Sequence, residues 1–100
     1  MIDVKKVIDG TIYNTQTATE VAKIWNGMSD TDFVFCTQGL YRTKKGSWFL
    51  AGIGGARSEY GNGCGSGSGV TLISADDALK WLEKNNFADA AIEYFDISEG

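Results

Sequence analysis

Leu40-Tyr41-Arg42-Thr43-Lys44-Lys45-Gly46-Ser47-Trp48-Phe49-Leu50 carries the clearest structural message in this 100-residue chain. Two runs rich in large apolar residues flank Lys-Lys-Gly, with glycine placed where a tight turn needs unusual backbone freedom. Leu40, Arg42, Trp48 and Leu50 alternate as expected of antiparallel strands with one dry and one wet face. The spacing predicts strands over residues 33–43 and 47–53. Arg42, Lys44 and Lys45 read most simply as a solubilising tip, with phosphate contact as the weaker alternative.

Upstream, Asp9-Gly10 sits between Val7-Ile8 and Thr11-Ile12-Tyr13. Asp-Gly is favoured where both central turn residues need positive φ, so residues 4–8 and 11–14 form a hairpin. Residues 17–27 read two ways. Thr17 with Glu20 suits a capping box and Asn26-Gly27 a helix stop. Val21, Lys23 and Trp25 alternating with Ala22 and Ile24 suit a strand. The alternation favours the strand, and so short a window leaves the helix open.

Downstream, glycine dominates from Gly52 to Gly69, and the alternate glycines 61–69 are costly to order. This stretch reads as a long loop of about 54–69, of the kind that is usually functional or disordered. Residues 70–73 read as a short buried strand. Ser74 then caps a helix, with Asp76 and Asp77 in the first turn, where the helix dipole favours negative charge. Ala75, Ala78, Leu79 and Leu82 give its core stripe, and Asn85-Asn86 ends it. A second helix follows with Ala88, Ala91, Ile92 and Phe95 as its stripe and Asp89, Glu93 and Asp96 outward. Strands first and helices last define an α+β class. The expectation is one domain over residues 1–100: an antiparallel meander of five to six strands covered by two C-terminal helices.

Charge divides the chain unevenly. Residues 1–73 carry six acids and seven bases, for +1, whereas residues 74–100 carry seven acids and two lysines, for −5; together they give the net −4. The acids of the C-terminal face, Asp76, Asp77, Glu83, Asp89, Glu93 and Asp96, have two readings. One is an ordinary solvated helix face. The other is a surface that docks on a basic protein, with carboxylates occupying a groove meant for nucleic acid. Arg57 and Tyr60, at the start of the glycine-rich flap, are residue types that often anchor interfaces. Direct nucleic-acid binding is disfavoured, because acids outnumber the few clustered bases and no base-stacking platform is legible.

Catalytic constellations are thin. The chain has no histidine, which removes the commonest general base and the usual activator of a Ser or Cys nucleophile. Cys36 and Cys64 read as free thiols, and two cysteines leave a zinc shell short of soft ligands. An enzyme using Cys64 as nucleophile lacks an accompanying base. No Gly-Lys-Ser/Thr closes the glycine-rich stretch, and Arg57 stands where a dinucleotide fingerprint needs its third glycine. No cofactor or metal is therefore expected. The longest apolar run near the start is Val7-Ile8, too short for a signal peptide or a membrane span, so the expected location is the cytoplasm.

The segments Ile8-Asp9-Gly10-Thr11-Ile12-Tyr13-Asn14-Thr15-Gln16-Thr17-Ala18 and Leu40 to Gly55 resemble a family of short proteins encoded in bacteria, often by phages and other mobile elements. Its members read Ile-Asp-Gly, Tyr-Asp-Thr, Leu-Tyr-Lys-Thr, then Phe-Leu-x-Gly-x-Gly-Gly and a late acidic helix. Some proteins of this kind are similar to anti-CRISPR inhibitors, which bind an effector complex without catalysis. The resemblance implies a non-enzymatic viral inhibitor acting in the host cytoplasm, with a basic nucleic-acid-handling (Cas) protein or complex as its partner. Asn14, where aspartate is common, and the dense glycines after Tyr60 depart from the pattern. Its motif residues mark turns and strand cores, so none is carried over as a catalytic or binding residue. The alternative is a structural or regulatory accessory protein of a mobile element that forms a homodimer through exposed sheet edges.

Overall fold

The computed structural model describes residues 2–25, 36–54 and 67–98. Among them are six strands, β1 (Lys5–Ile8), β2 (Thr11–Asn14), β3 (Thr19–Trp25), β4 (Cys36–Arg42), β5 (Trp48–Gly54) and β6 (Gly67–Ile73), followed by helices α1 (Ala75–Lys84) and α2 (Ala88–Tyr94). All strand pairings are antiparallel, and the fold is α+β. The meander is not continuous. β1 and β2 form a separate two-stranded sheet, and β3-β4-β5-β6 form a four-stranded sheet in chain order.

Both hairpin turns follow from their sequences. Asp9 and Gly10 adopt φ of 51° and 78°, the paired positive values of a two-residue turn matched to strand twist. In the β4–β5 turn Gly46 sits at φ 92°, Gly46 N–H donates to Thr43 C=O, and Ser47 N–H donates to Thr43 Oγ1. Residues 19–25 are a strand, so alternation prevails over the capping-box pattern. The pairing of β3 with β4 slips between Glu20 and Ala22, a bulge.

The four-stranded sheet has apolar material on both faces, which corrects the expectation of one wet face. On one face Tyr41, Phe49 and Ala51 pack with Ile2 and Val4 of the N-terminal segment and with Tyr13 of the hairpin. On the other, Leu40 and Trp48 pack with Ala78, Leu82 and Ala91 of the helices. The sheet is thus the middle of three layers. Strict alternation along β4 and β5 supplies both faces, since Leu40 and Tyr41 are neighbours, as are Trp48 and Phe49.

Thr15 ties the N-terminal layer down. Its buried hydroxyl accepts the Val4 N–H at 3.0 Å and lies 3.2 Å from the Ile2 carbonyl, and its own N–H donates to Val4 C=O. Beside it, Asn14 Oδ1 accepts the Gln16 N–H at 2.9 Å. An aspartate would supply the same acceptor, so asparagine here keeps the turn's chemistry.

Tyr41 lies flat against Phe49, with ring centroids 5.4 Å apart, and its hydroxyl donates to Glu20 Oε1 at 3.1 Å. Gly39 makes room for this ring, because a Cβ there would meet Tyr41 Cε2 at 2.7 Å. Burial, then the negative charge of Glu20, then the hydrogen bond to it push the phenol far above its ordinary value of 10.0. The unfolded chain therefore loses the Tyr41 proton at lower pH than the folded one. Stability from this group is complete below about pH 10 and falls as pH rises beyond it. An alkaline titration should show Tyr41 ionising only as the fold is lost, and Tyr41→Phe should remove that share of the alkaline sensitivity.

Several expected details are corrected. The strand expected to be buried over residues 70–73 is not, since Thr71 and Leu72 are exposed and Val70 and Ile73 half-buried at the edge of the sheet. Gly67, Ser68 and Gly69 belong to β6 and not to a loop, because each pairs with β5. Ala75 is exposed, which removes it from the α1 stripe. Ala88 and Ile92 are exposed, Ile92 at 63 %, which removes both from the α2 stripe and leaves Ala91 as its buried residue. Cys36 lies half-buried in β4. Arg57, Tyr60, Cys64, the start of the strand expected at residue 33 and residues 55–66 of the expected loop lie outside the described residues.

Candidate functional site in the helical layer

The helical layer is positioned by its caps. Ser74 directly follows β6, and its Oγ accepts the Asp77 N–H at 3.1 Å, capping α1 as its sequence predicts. Asp76 and Asp77 occupy the first turn, where carboxylates are favoured by the exposed N–H groups. At the other end Asn86 takes φ 64°. Its N–H donates to Glu83 C=O, and the Phe87 N–H donates to Leu82 C=O. This pair of bonds is a Schellman ending with asparagine in the left-handed position. It turns the chain into α2 within three residues.

Packing then holds the pair against the sheet. Ala78 and Leu82 are fully buried, and Trp81 Nε1 donates to Gln38 Oε1 of β4 at 3.1 Å. Trp81 stacks on Phe87 with centroids 5.7 Å apart. Trp48 of β5 stacks on Phe95 and meets Tyr94 edge-on, anchoring the end of α2. The Arg42 guanidinium lies 5.7 Å from the Trp48 ring centre, so this base is engaged on the helical face of the sheet.

The outward surface of this layer carries the predicted acids. Asp76, Asp77, Glu83, Asp89, Glu93 and Asp96 are all exposed. On α1 they are interleaved with Lys80, one turn after Asp76 and Asp77, and with Lys84. On α2 the balance differs. Asp89 and Glu93 are four residues apart on one helix face, and α2 has no basic residue in its last turn. Like charges at that spacing repel by about 0.2–0.5 kcal/mol, which a cation from outside would relieve. The six carboxylates therefore share one layer, most strongly negative toward α2.

Sequence reasoning missed an apolar groove in the same layer, between α1 and α2. It is about 310 Å³ and is lined by Leu79, Phe87, Ala88, Ile92, Ile97 and Glu83, among others. Ile92 and Ile97 are 63 % and 43 % exposed. The available signal was Ile97, an aliphatic residue beyond the helix stripe and flanked by Asp96. A second hollow, of about 400 Å³, lies between the first hairpin and the β4–β5 turn and is lined by Tyr13, Lys44 and Lys45 among others. Lys44 and Lys45 come together there, while Arg42 is engaged with Trp48.

Among the described residues no three His, Cys, Asp or Glu side chains are grouped so as to hold a metal ion, and no helix is long and apolar enough to cross a membrane. Compared with family models, curated proteins and solved structures, the chain matches none.

Proposed function

We propose that this is a non-enzymatic binding protein that docks through its acidic helical layer onto a basic surface of a nucleic-acid-handling protein. The carrying observation is the placement of Asp76, Asp77, Glu83, Asp89, Glu93 and Asp96, all exposed, on the one layer formed by α1, α2 and the short segment after α2. Electrostatic attraction of this kind speeds and orients encounter, while a few desolvated contacts set affinity. The motif resemblance supports the narrower form of the reading, a phage or mobile-element inhibitor of the anti-CRISPR type that occludes a CRISPR–Cas effector complex. α2 carries no basic side chain to neutralise Glu93 or Asp89, which supports the docking reading.

Charge reversal tests it. Asp76, Asp77 and Asp89 support their helix N-termini, so Glu83→Lys, Glu93→Lys and Asp96→Lys are the cleaner changes. The triple variant should keep its circular dichroism spectrum and lose capture of basic Cas effector proteins from lysate together with inhibition of target cleavage. Binding to the native protein should weaken steeply with added salt. Full capture by the folded triple variant would discard the acidic-layer reading.

A further inference from the structure

We propose that the groove between α1 and α2 receives an amphipathic, positively charged helix of a partner protein, an inference that rests on the acidic-layer reading and specifies its occupant. Exposed isoleucines beside a concave apolar wall are surface that water solvates poorly, and such patches mark interaction sites. The groove, at about 310 Å³, is at the lower bound of small-ligand pockets and suits anchoring side chains better than a whole ligand.

The walls decide the form of the occupant. They are built by α1, α2, the linker between them and Ile97 beyond α2, with no strand among them. An extended peptide laid there would find no sheet edge to pair with. A helix brings its backbone bonds satisfied and presents side chains one turn apart, which is the helix-in-groove mode of recognition.

Charge decides its sign. Glu83 lines the groove itself. Asp89 and Glu93 flank lining residues Ala88 and Ile92, and Asp96 precedes Ile97. The nearest cations in sequence are Lys80, next to the lining residue Leu79, and Lys84, next to Glu83, so the acids at the groove outnumber the bases four to two. A partner helix with aliphatic residues along one stripe and Lys or Arg beside it would fill the hollow and relieve the repulsion within α2.

The test uses fluorescence anisotropy with a labelled Leu/Lys helical peptide of about 18 residues, about 27 Å long, and with a peptide of the same composition in scrambled order. The ordered peptide should bind the native protein at least about ten-fold more tightly than the scrambled one. Ile92→Ser with Ile97→Ser, both at exposed positions, should abolish that preference while preserving the circular dichroism spectrum. Glu83→Lys with Glu93→Lys should weaken both peptides. Equal binding of the two peptides, an unaffected serine variant, or no binding of the ordered peptide overturns the groove proposal. Undiminished binding to the charge-reversed variant instead overturns the acidic-layer reading, so the two failures are distinct.

Discussion

Phe49→Ala is expected to lose about 3–5 kcal/mol of unfolding free energy, the usual range for truncating a buried phenylalanine. Phe49 is fully buried at the centre of the layer between the sheet and the N-terminal segment. Tyr41 stacks on one side of its ring, and Tyr13 meets it edge-on at 5.7 Å. Removing the ring takes away the aromatic contact that both tyrosines make. Neither can collapse into the space cheaply, since Tyr41 is held by Glu20 and Tyr13 by its place in the hairpin. A domain of this size has about 5–15 kcal/mol in total, so the variant should be marginal at room temperature. Urea unfolding followed by tryptophan fluorescence reads it directly. A loss below about 1 kcal/mol would mean that the N-terminal layer is not packed on this face.

Leu82→Ala should be the counterpart on the opposite face, with a loss of about 2–5 kcal/mol. Leu82 is fully buried and belongs with Leu40 and Trp48 of the sheet and Ala78 and Ala91 of the helices. It also closes the end of α1, because its carbonyl accepts the Phe87 N–H. The alanine keeps that backbone bond and is at least as good a helix former as leucine, so the loss reports packing. A lowered urea midpoint with unchanged slope is the expected signature. Because α1 and α2 carry the acids and the groove, the variant should also bind basic partners more weakly. Unchanged binding in a destabilised Leu82→Ala protein would show that recognition tolerates loosening of the helical layer.

These two positions also show what the chain's order of residues reveals and what it hides. Turns were legible because their chemistry is local: Asp9-Gly10 and Gly46 declare backbone conformations that few residues adopt. Ser74 and Asn85-Asn86 likewise mark the ends of α1 through bonds within a few residues. The layering was not legible. Tyr41 and Phe49 face the N-terminal segment while Leu40 and Trp48 face the helices, and alternation cannot tell a solvated face from one covered by distant chain. The separation of β1–β2 from the larger sheet is a long-range choice of the same kind. Glycine misled at Gly67 and Gly69, where cross-strand pairing to Gly54 and Gly52 outweighs poor intrinsic strand preference. At the candidate site the acids were legible as an exposed set, since helical spacing separates them from Leu82 and Ala78. The groove beside them was not, because a stripe reading placed Ile92 inward when Ala91 and Phe95 already fill that side.

The junction between β6 and α1 has a mechanical consequence. Ser74 alone separates the last residue of the strand from the first of the helix, so the joint has no slack to absorb displacement. Whatever grips the helices also holds the outermost rung of the sheet, and breathing of that margin should quieten when a ligand seats. Amide exchange at Thr71, Leu72 and Ile73 would then report occupancy at a distance from the contact itself.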